Sequence, residues 1–185
     1  MKMRKNYFPI LGTLLVIVGI FSASPSKATN LFTSSVKSST FSPADIEFAQ
    51  GMIPHHQQAI VMAKIALKKS HDARIISLAK AIRDAQGPEV LIMKKWLSEA
   101  KVSSMGMSMM MDGMLSTREL NALKSASGAN FDKLFLRGMI QHHQGAIRMA
   151  EKVSASSNPE VKRLSQNIIA AQRNEIIKMR VLLSK

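Results

Sequence analysis

Four of the five histidines occur as two adjacent pairs, and each pair lies within a copy of the same short stretch. Residues 51–63, the first motif, read Gly-Met-Ile-Pro-His-His-Gln-Gln-Ala-Ile-Val-Met-Ala. Residues 138–150, the second motif, read Gly-Met-Ile-Gln-His-His-Gln-Gly-Ala-Ile-Arg-Met-Ala. Imidazole nitrogen and thioether sulfur both bind metals, and the thioether is a soft ligand. The repetition therefore predicts a soft-metal site that is used twice.

The spacing within each motif places the candidate ligands on one side of a helix. Successive residues turn by about 100° around a helix, so each set of four falls within an arc of about 120°. Partner helices can supply further thioethers, because bundles build metal sites from side chains that converge on the interior. The candidate ligands are Met52, His55, His56, Met62, Met93, Met139, His142, His143, Met149 and Met179.

The ligand types favour copper. Thioether and imidazole together suit Cu(I), and Cu(II) where histidine dominates. A ferritin-like di-iron site would need Glu-x-x-His motifs with further carboxylates, and the sequence contains no such motif. The only acids repeated in both halves are Glu89 and Glu175. They are expected to orient a histidine by accepting its N–H, or to bind a basic side chain.

These residues also have purely structural interpretations. Methionine at helical spacing commonly fills gaps in a core, and this explanation is open for Met93 and Met179. A solitary histidine such as His71 is expected to be an ordinary surface or core residue. A third set of methionines, separated by Gly and Ser, lies between the motifs and is interpreted as a flexible copper-capturing segment or a disordered tether. Its members are Met105, Met107, Met109, Met110, Met111 and Met114.

The candidate ligands need helices to position them, and the sequence contains several helix start signals. Ser42-Pro43-Ala44-Asp45 combines a cap, a first-turn proline and an acid. A second helix is predicted from about Asp72 to Lys101, with Ile75, Leu78, Ile82, Met93 and Trp96 among its buried residues. Asn130 and Asn158 can cap a third and a fourth helix. Ser116 with Glu119 resembles the capping box of a short additional helix.

The duplication extends to whole helical hairpins. The apolar stripe of the first helix is expected to include Ile53, Ile60 and Leu67. No strand pattern competes, and two such hairpins would bury their stripes most simply as an all-α four-helix bundle. The predicted boundaries are 43–101 for the first hairpin, 102–129 for a Met-rich linker and 130–185 for the second hairpin. Pro54, which is Gln141 in the second motif, is expected to kink the first helix and to make the two sites differ.

The N-terminal residues are typical of an export signal. A positive start, an apolar run over 8–21 and the small-x-small pattern Ser26-Lys27-Ala28 predict cleavage after residue 28. Residues 29–42 are then a flexible leader, and no stable membrane span is expected after cleavage, with an uncleaved anchor as the alternative. The predicted location is the periplasm or the exterior. Because the chain has no cysteine, soft ligands must be methionine or histidine.

The chain is strongly basic, with a formal net charge of +14. Removal of residues 1–28 would take away four cationic residues and no acid. The remaining cations are spread along helical segments without interleaved aromatic residues, and an exported protein rarely meets nucleic acid. A solvated cationic surface is therefore preferred to nucleic-acid binding.

Over residues 43–185 the chain resembles family 305 of the domains of unknown function. The resemblance rests on Gly-Met-Ile-x-His-His followed by Ala-Ile-x-Met-Ala, and on Gln-x-x-Glu-x-x-x-Met after each motif. It implies a ferritin-like four-helix bundle. It also implies copper contacts by the methionines and histidines of both motifs, without telling which histidine of each pair binds.

These observations predict an exported protein that sequesters or carries Cu(I) or Cu(II) and contributes to copper resistance. Its expected partners are copper ions and a copper efflux or sensor protein, and no enzymatic activity is expected. Two alternatives are a cuprous oxidase and a basic envelope-associated bundle without a specific metal.

Overall fold

The computed structural model describes residues 40–103 and 111–184, which form five α-helices without a strand between them. The helices are α1 (Pro43–Lys69), α2 (Ala73–Glu99), α3 (Thr117–Ser125), α4 (Gly128–Glu151) and α5 (Pro159–Leu183). The all-α bundle predicted from the sequence is confirmed. Within these two stretches no helix has the length and apolar character needed to cross a membrane.

Side-chain caps fix the starts of most helices. Ser42 and Asp45 form a reciprocal capping box at the start of α1, with N–H to oxygen distances of 3.2 and 2.8 Å. Ser116 and Glu119 form the same motif at α3, as predicted. The side chain of Asn158 accepts two backbone N–H groups at the start of α5, which satisfies donors that the helix itself leaves unpaired.

The predicted start of the helix that carries the second motif was wrong. The N-cap of α4 is Ser127 and not Asn130. Gly128 has a φ of 55°, a backbone conformation that glycine adopts at little cost. The chain therefore turns immediately after α3, and Asn130 lies within the first turn of α4.

Each hairpin pairs two long helices, and the hairpins meet along α1 and α4. Ala59, Ala63 and Ala66 are fully buried on the inner side of α1. The predicted buried residues of α2 are confirmed, whereas Ile60 and Leu67 of α1 are only partly buried. Ile53 is buried as predicted, and the rest of the inner side of α1 carries mainly methionine, histidine and alanine, so Ile60 and Leu67 lie at its margin.

Two hydrophobic clusters fill the interior. The Phe135 cluster combines the C-terminal half of α1, the N-terminal half of α2, parts of α3 and α4, and the end of α5. The Trp96 cluster is built from the opposite halves of the four long helices. The indole N–H of Trp96 donates to Glu160 over 2.9 Å and so ties α2 to α5.

Candidate metal centre

A layer of buried polar side chains separates the two hydrophobic clusters. Along every long helix, residues of one cluster give way to residues of the other at this level. The four paired histidines have no exposed surface, and the two glutamines are 3% exposed. The members of this polar layer are His55, His56, Gln86, His142, His143 and Gln172. The two histidine pairs of the duplicated motifs are thus brought into one interior level.

The hydrogen bond of His55 defines which ring nitrogen is free. Nε2 of His55 lies 3.0 Å from the main-chain carbonyl oxygen of Asp112. A carbonyl oxygen can only accept, so Nε2 carries the proton and donates. Nδ1 then holds a lone pair, and it is buried without a hydrogen-bond partner. Such a nitrogen is available to a metal ion.

The second histidine of each motif is oriented by a carboxylate. Nε2 of His56 lies 2.8 Å from Glu89, and Nε2 of His143 lies 2.6 Å from Glu175. The expectation that these acids accept a histidine N–H is confirmed. With the proton on Nε2, the Nδ1 atoms of both rings carry lone pairs and have no partner. The carboxylate side chains are 19% and 16% exposed, so they connect the buried rings to the surface.

His142 is the least satisfied of the four histidines in the layer. Neither of its ring nitrogens makes a hydrogen bond of normal geometry. Its ring centroid lies 3.8 Å from that of His55 and 6.4 Å from that of His143. Burial, followed by the charges that His55 and His143 could carry, holds the pKa of His142 well below its usual value. Burial and the neighbouring His56 lower the pKa of His55 to about 3, so both rings are neutral at ordinary pH.

The layer contains more unpaired polar atoms than an interior normally tolerates. Both polar atoms of the Gln86 amide and the amide oxygen of Gln172 also lack partners. Each such group costs about 1–3 kcal/mol when it is buried unpaired. Across residues 40–103 and 111–184, no three histidine, aspartate or glutamate side chains are gathered closely enough to hold a metal by themselves. A metal in the layer would therefore need thioether sulfur, or a shift of the side chains.

Four buried methionines lie directly above and below the layer. Met52 and Met93 belong to the Trp96 cluster, and Met139 and Met179 belong to the Phe135 cluster. Met52 precedes His56 by one helical turn, and Met139 precedes His143 in the same way. All four are fully buried. Their sulfur atoms therefore lie in the same interior as the unpaired Nδ1 atoms of the histidines.

The remaining methionine of each motif is directed elsewhere. The methyl group of Met62 lies 3.4 Å from the position that a Cβ of Gly138 would occupy. The methyl group of Met149 lies 3.0 Å from the corresponding position at Gly51. Each methionine thus crosses to the glycine of the other motif. Met62 packs in the Phe135 cluster while Met52 packs in the Trp96 cluster, so the structure does not gather all four candidates of a motif at one point.

A short segment of the linker crosses the junction of α1 and α4 beside the histidines. This segment, Met111–Leu115, is called the strap. Its Asp112 forms an ion pair with Arg148, and its carbonyl accepts the His55 N–H. Gln58 exchanges two hydrogen bonds with the backbone of Leu115, over 2.9 and 2.7 Å.

Gly145 makes this crossing possible. A Cβ at Gly145 would lie 1.8 Å from the carbonyl oxygen of Asp112. The roles of Asp112, Gln58, Gly145 and Arg148 were not foreseen from the sequence. The available signal was the set of positions at which the two motifs differ, since Gln58 corresponds to Gly145 and Val61 to Arg148.

The remaining histidine and the linker methionines lie away from the polar layer or outside the described residues. His71 is exposed between α1 and α2. Met111 and Met114 belong to the strap, and both are partly buried. Met105, Met107, Met109 and Met110 fall outside the described residues.

Comparisons with known proteins agree with this architecture. A DUF305 fragment from Deinococcus radiodurans is 32% identical with a TM-score of 0.72, and the match covers 77% of this chain and 97% of that one. CopM in its Cu(I)-bound form is 35% identical with a TM-score of 0.66, covering 76% of this chain and 95% of CopM. CopM has also been solved in Cu(II)-bound and Ag-bound forms, with TM-scores of 0.67 and 0.65 to this chain.

A shorter match comes from a virus. Uncharacterized protein L153 of Acanthamoeba polyphaga mimivirus is 42% identical over 55 residues, which are 29% of this chain and 36% of that protein. This chain therefore matches only about a third of that curated relative. The model of the family described as Domain of unknown function (DUF305) matches residues 45–183, and the chain belongs to this family.

Proposed function

We propose that the protein binds copper in the polar layer, with Cu(I) as the preferred ion, and that it sequesters or carries the metal outside the cytoplasm. The observation that carries the proposal is the set of unpaired Nδ1 atoms on His55, His56 and His143. Their Nε2 atoms are engaged by fixed acceptors, so in the neutral tautomer that donates from Nε2 each Nδ1 presents its lone pair to a metal. A bound cation would satisfy atoms that otherwise remain buried without partners.

The choice of metal rests on the ligands and on a relative. The layer offers uncharged imidazoles with thioethers on both sides, and this combination suits a monovalent soft ion. CopM, which is similar over most of this chain, has been solved with Cu(I), Cu(II) and Ag. The signal-like N-terminus supports a periplasmic or secreted location, in which such a protein would contribute to copper resistance and exchange metal with an efflux or sensor protein.

Competition for Cu(I) against a chromogenic chelator tests the proposal. The quadruple variant His55→Ala, His56→Ala, His142→Ala, His143→Ala is expected to lose tight binding. His71→Ala is the matched control, since this histidine is exposed and outside the layer. Circular dichroism verifies that both variants remain helical. Equal affinity of the folded quadruple variant and the control would refute the assignment of copper to the layer.

We propose binding without turnover, because the four paired histidines have no exposed surface and lie between the two hydrophobic clusters. Oxygen uptake during Cu(I) addition distinguishes this function from that of a cuprous oxidase. Binding alone consumes no oxygen beyond the Cu(I) autoxidation measured in a protein-free control. Sustained uptake that requires His55 and His142 would favour the oxidase.

A further inference from the structure

Two methionines from distant parts of the chain meet at Gly51. The methyl group of Met149 lies 3.0 Å from the ideal Cβ position of this glycine, and the sulfur of Met111 lies 3.4 Å from the same point. We call this place the Gly51 notch. Because glycine has no side chain, the notch admits both thioethers at once.

The duplication provides an internal comparison. The equivalent glycine, Gly138, is approached by the methyl group of Met62 at 3.4 Å and by a methyl group of Leu115 at 3.1 Å. A methionine with a leucine therefore suffices to fill a notch of this kind. The Gly51 notch is instead filled by the side chains of two methionines. Met149 is also partly exposed, whereas Met62 is fully buried.

The strap holds Met111 in place. The residue that follows it, Asp112, is bound to Arg148 through its carboxylate and to His55 through its carbonyl. The next residue, Gly113, lies against Gly145 of α4. In the sequence, Met111 also belongs to the methionine-rich set that runs from Met105 to Met114.

We propose that Met111 and Met149 form a second site, separate from the polar layer, for a monovalent soft cation, either Cu(I) or Ag(I). Thioethers are uncharged soft donors that select such ions over Zn²⁺ or Mg²⁺. Gly51 and His55 are one helical turn apart on the same side of α1, so the site adjoins the outer edge of the layer. The inference rests on the proposed function for the identity of the metal, and it adds a second binding site for that metal.

Methionine-methyl NMR with Ag(I) as the probe tests this site directly. Titration of protein labelled with ¹³C at its methionine methyl groups is expected to shift the resonances of Met111 and Met149. Met111→Leu and Met149→Leu should each lower the bound Ag(I) by about one ion per chain. Met111→Leu recreates the methionine and leucine pair that the chain already uses at Gly138, so the fold should tolerate it.

Met62→Leu is the matched control, because it changes the corresponding methionine at the other notch. It should leave the Ag(I) count unchanged. Unshifted Met111 and Met149 resonances at saturating Ag(I), or an equal loss in Met62→Leu, would overturn the proposal.

The quadruple histidine variant separates the two hypotheses. If it loses tight Cu(I) binding while Met111 and Met149 still shift with Ag(I), both sites are supported. If the variant still binds Cu(I) tightly and these shifts persist, copper binding in the polar layer is refuted and the site at the Gly51 notch is supported. If the Ag(I)-induced shifts of Met111 and Met149 are lost in the quadruple variant, the Gly51 notch is not an independent binding site.

Discussion

The imidazole rings of His55 and His142 lie against each other at the junction of α1 and α4, with their centroids 3.8 Å apart and their planes at 44°. They are the first histidines of the two motifs, so the duplication brings equivalent residues into contact. Burial lowers the pKa of both, and two neutral rings can share this space without charge repulsion. The contact is therefore compatible with the metal-free chain.

Replacement of His142 by leucine should separate stability from binding. The unpaired ring nitrogens of His142 cost free energy in the metal-free fold, and leucine would remove them. We expect His142→Leu to be as stable as the parent or more stable by about 1–2 kcal/mol in urea unfolding. Cu(I) affinity, measured by chelator competition, should fall at least about tenfold. A strongly destabilised variant with unchanged affinity would show that His142 is a packing residue.

Glu89 should act on the metal through His56. Loss of its carboxylate removes the acceptor that holds the proton on Nε2, so the ring can turn or change tautomer. We expect Glu89→Ala to weaken Cu(I) binding about 10- to 100-fold. Glu89→Gln should retain most of the affinity, because the amide oxygen can still accept the N–H.

The matched control for Glu89 is Glu99→Ala, which removes an exposed carboxylate that pairs with Lys95 on the same helix. Its affinity for Cu(I) should equal that of the parent. If Glu89→Gln and Glu89→Ala weaken binding equally, the carboxylate charge rather than the orientation of the ring is important.

The metal-free protein should lose stability in mild acid. In the unfolded chain His55 and His142 take up protons below a pKa of about 6.5, whereas in the fold burial lowers the pKa of His55 to about 3 and also lowers that of His142. Between these values the unfolded state binds more protons, so the free energy of unfolding decreases as pH falls. Each histidine contributes a slope of about 1.4 kcal/mol per pH unit.

Urea unfolding at a series of pH values between 7 and 4 measures this slope. The double variant His55→Leu, His142→Leu should show a shallower dependence, because it lacks both buried rings. A parent curve that is flat from pH 7 to pH 4 would contradict the pKa values of these histidines.

Gly145 should be intolerant of alanine. A Cβ there would lie 1.8 Å from the backbone oxygen of Asp112, so the strap would have to leave α4. We expect Gly145→Ala to be destabilised by about 1–3 kcal/mol, the usual cost of overpacking. Gly87→Ala is the matched control, since a Cβ in that helical position meets no atom within 4 Å outside its own helix backbone and its chain neighbours.

Gly87→Ala should change the stability by less than about 1 kcal/mol, because alanine is the better helix former while the following Pro88 disfavours a helical residue with a Cβ before it. Both variants are compared by urea unfolding. If Gly145→Ala matches the parent in stability, the strap is not held against α4 in solution.

Local signals in the sequence were enough to predict the four long helices, apart from the start of α4, and to single out the candidate ligands. The capping boxes at Ser42 and Ser116 and the cap at Asn158 depend on residues within one turn, so they can be read without tertiary information. The same holds for the duplicated motifs, because a helix fixes the side on which the histidine pairs lie. The repeated Glu89 and Glu175 also indicated which acids would meet a histidine.

Only the tertiary structure decided how the two motifs combine. The antiparallel crossing of α1 and α4 brings His55 to His142 and sends Met62 and Met149 to opposite glycines, which no spacing within one helix can predict. The strap breaks the equivalence of the two halves, because a single chain segment can pass only one of the two equivalent surfaces. It passes where Gly145 leaves room, and Gln58 occupies the equivalent position on the other side and binds Leu115 instead.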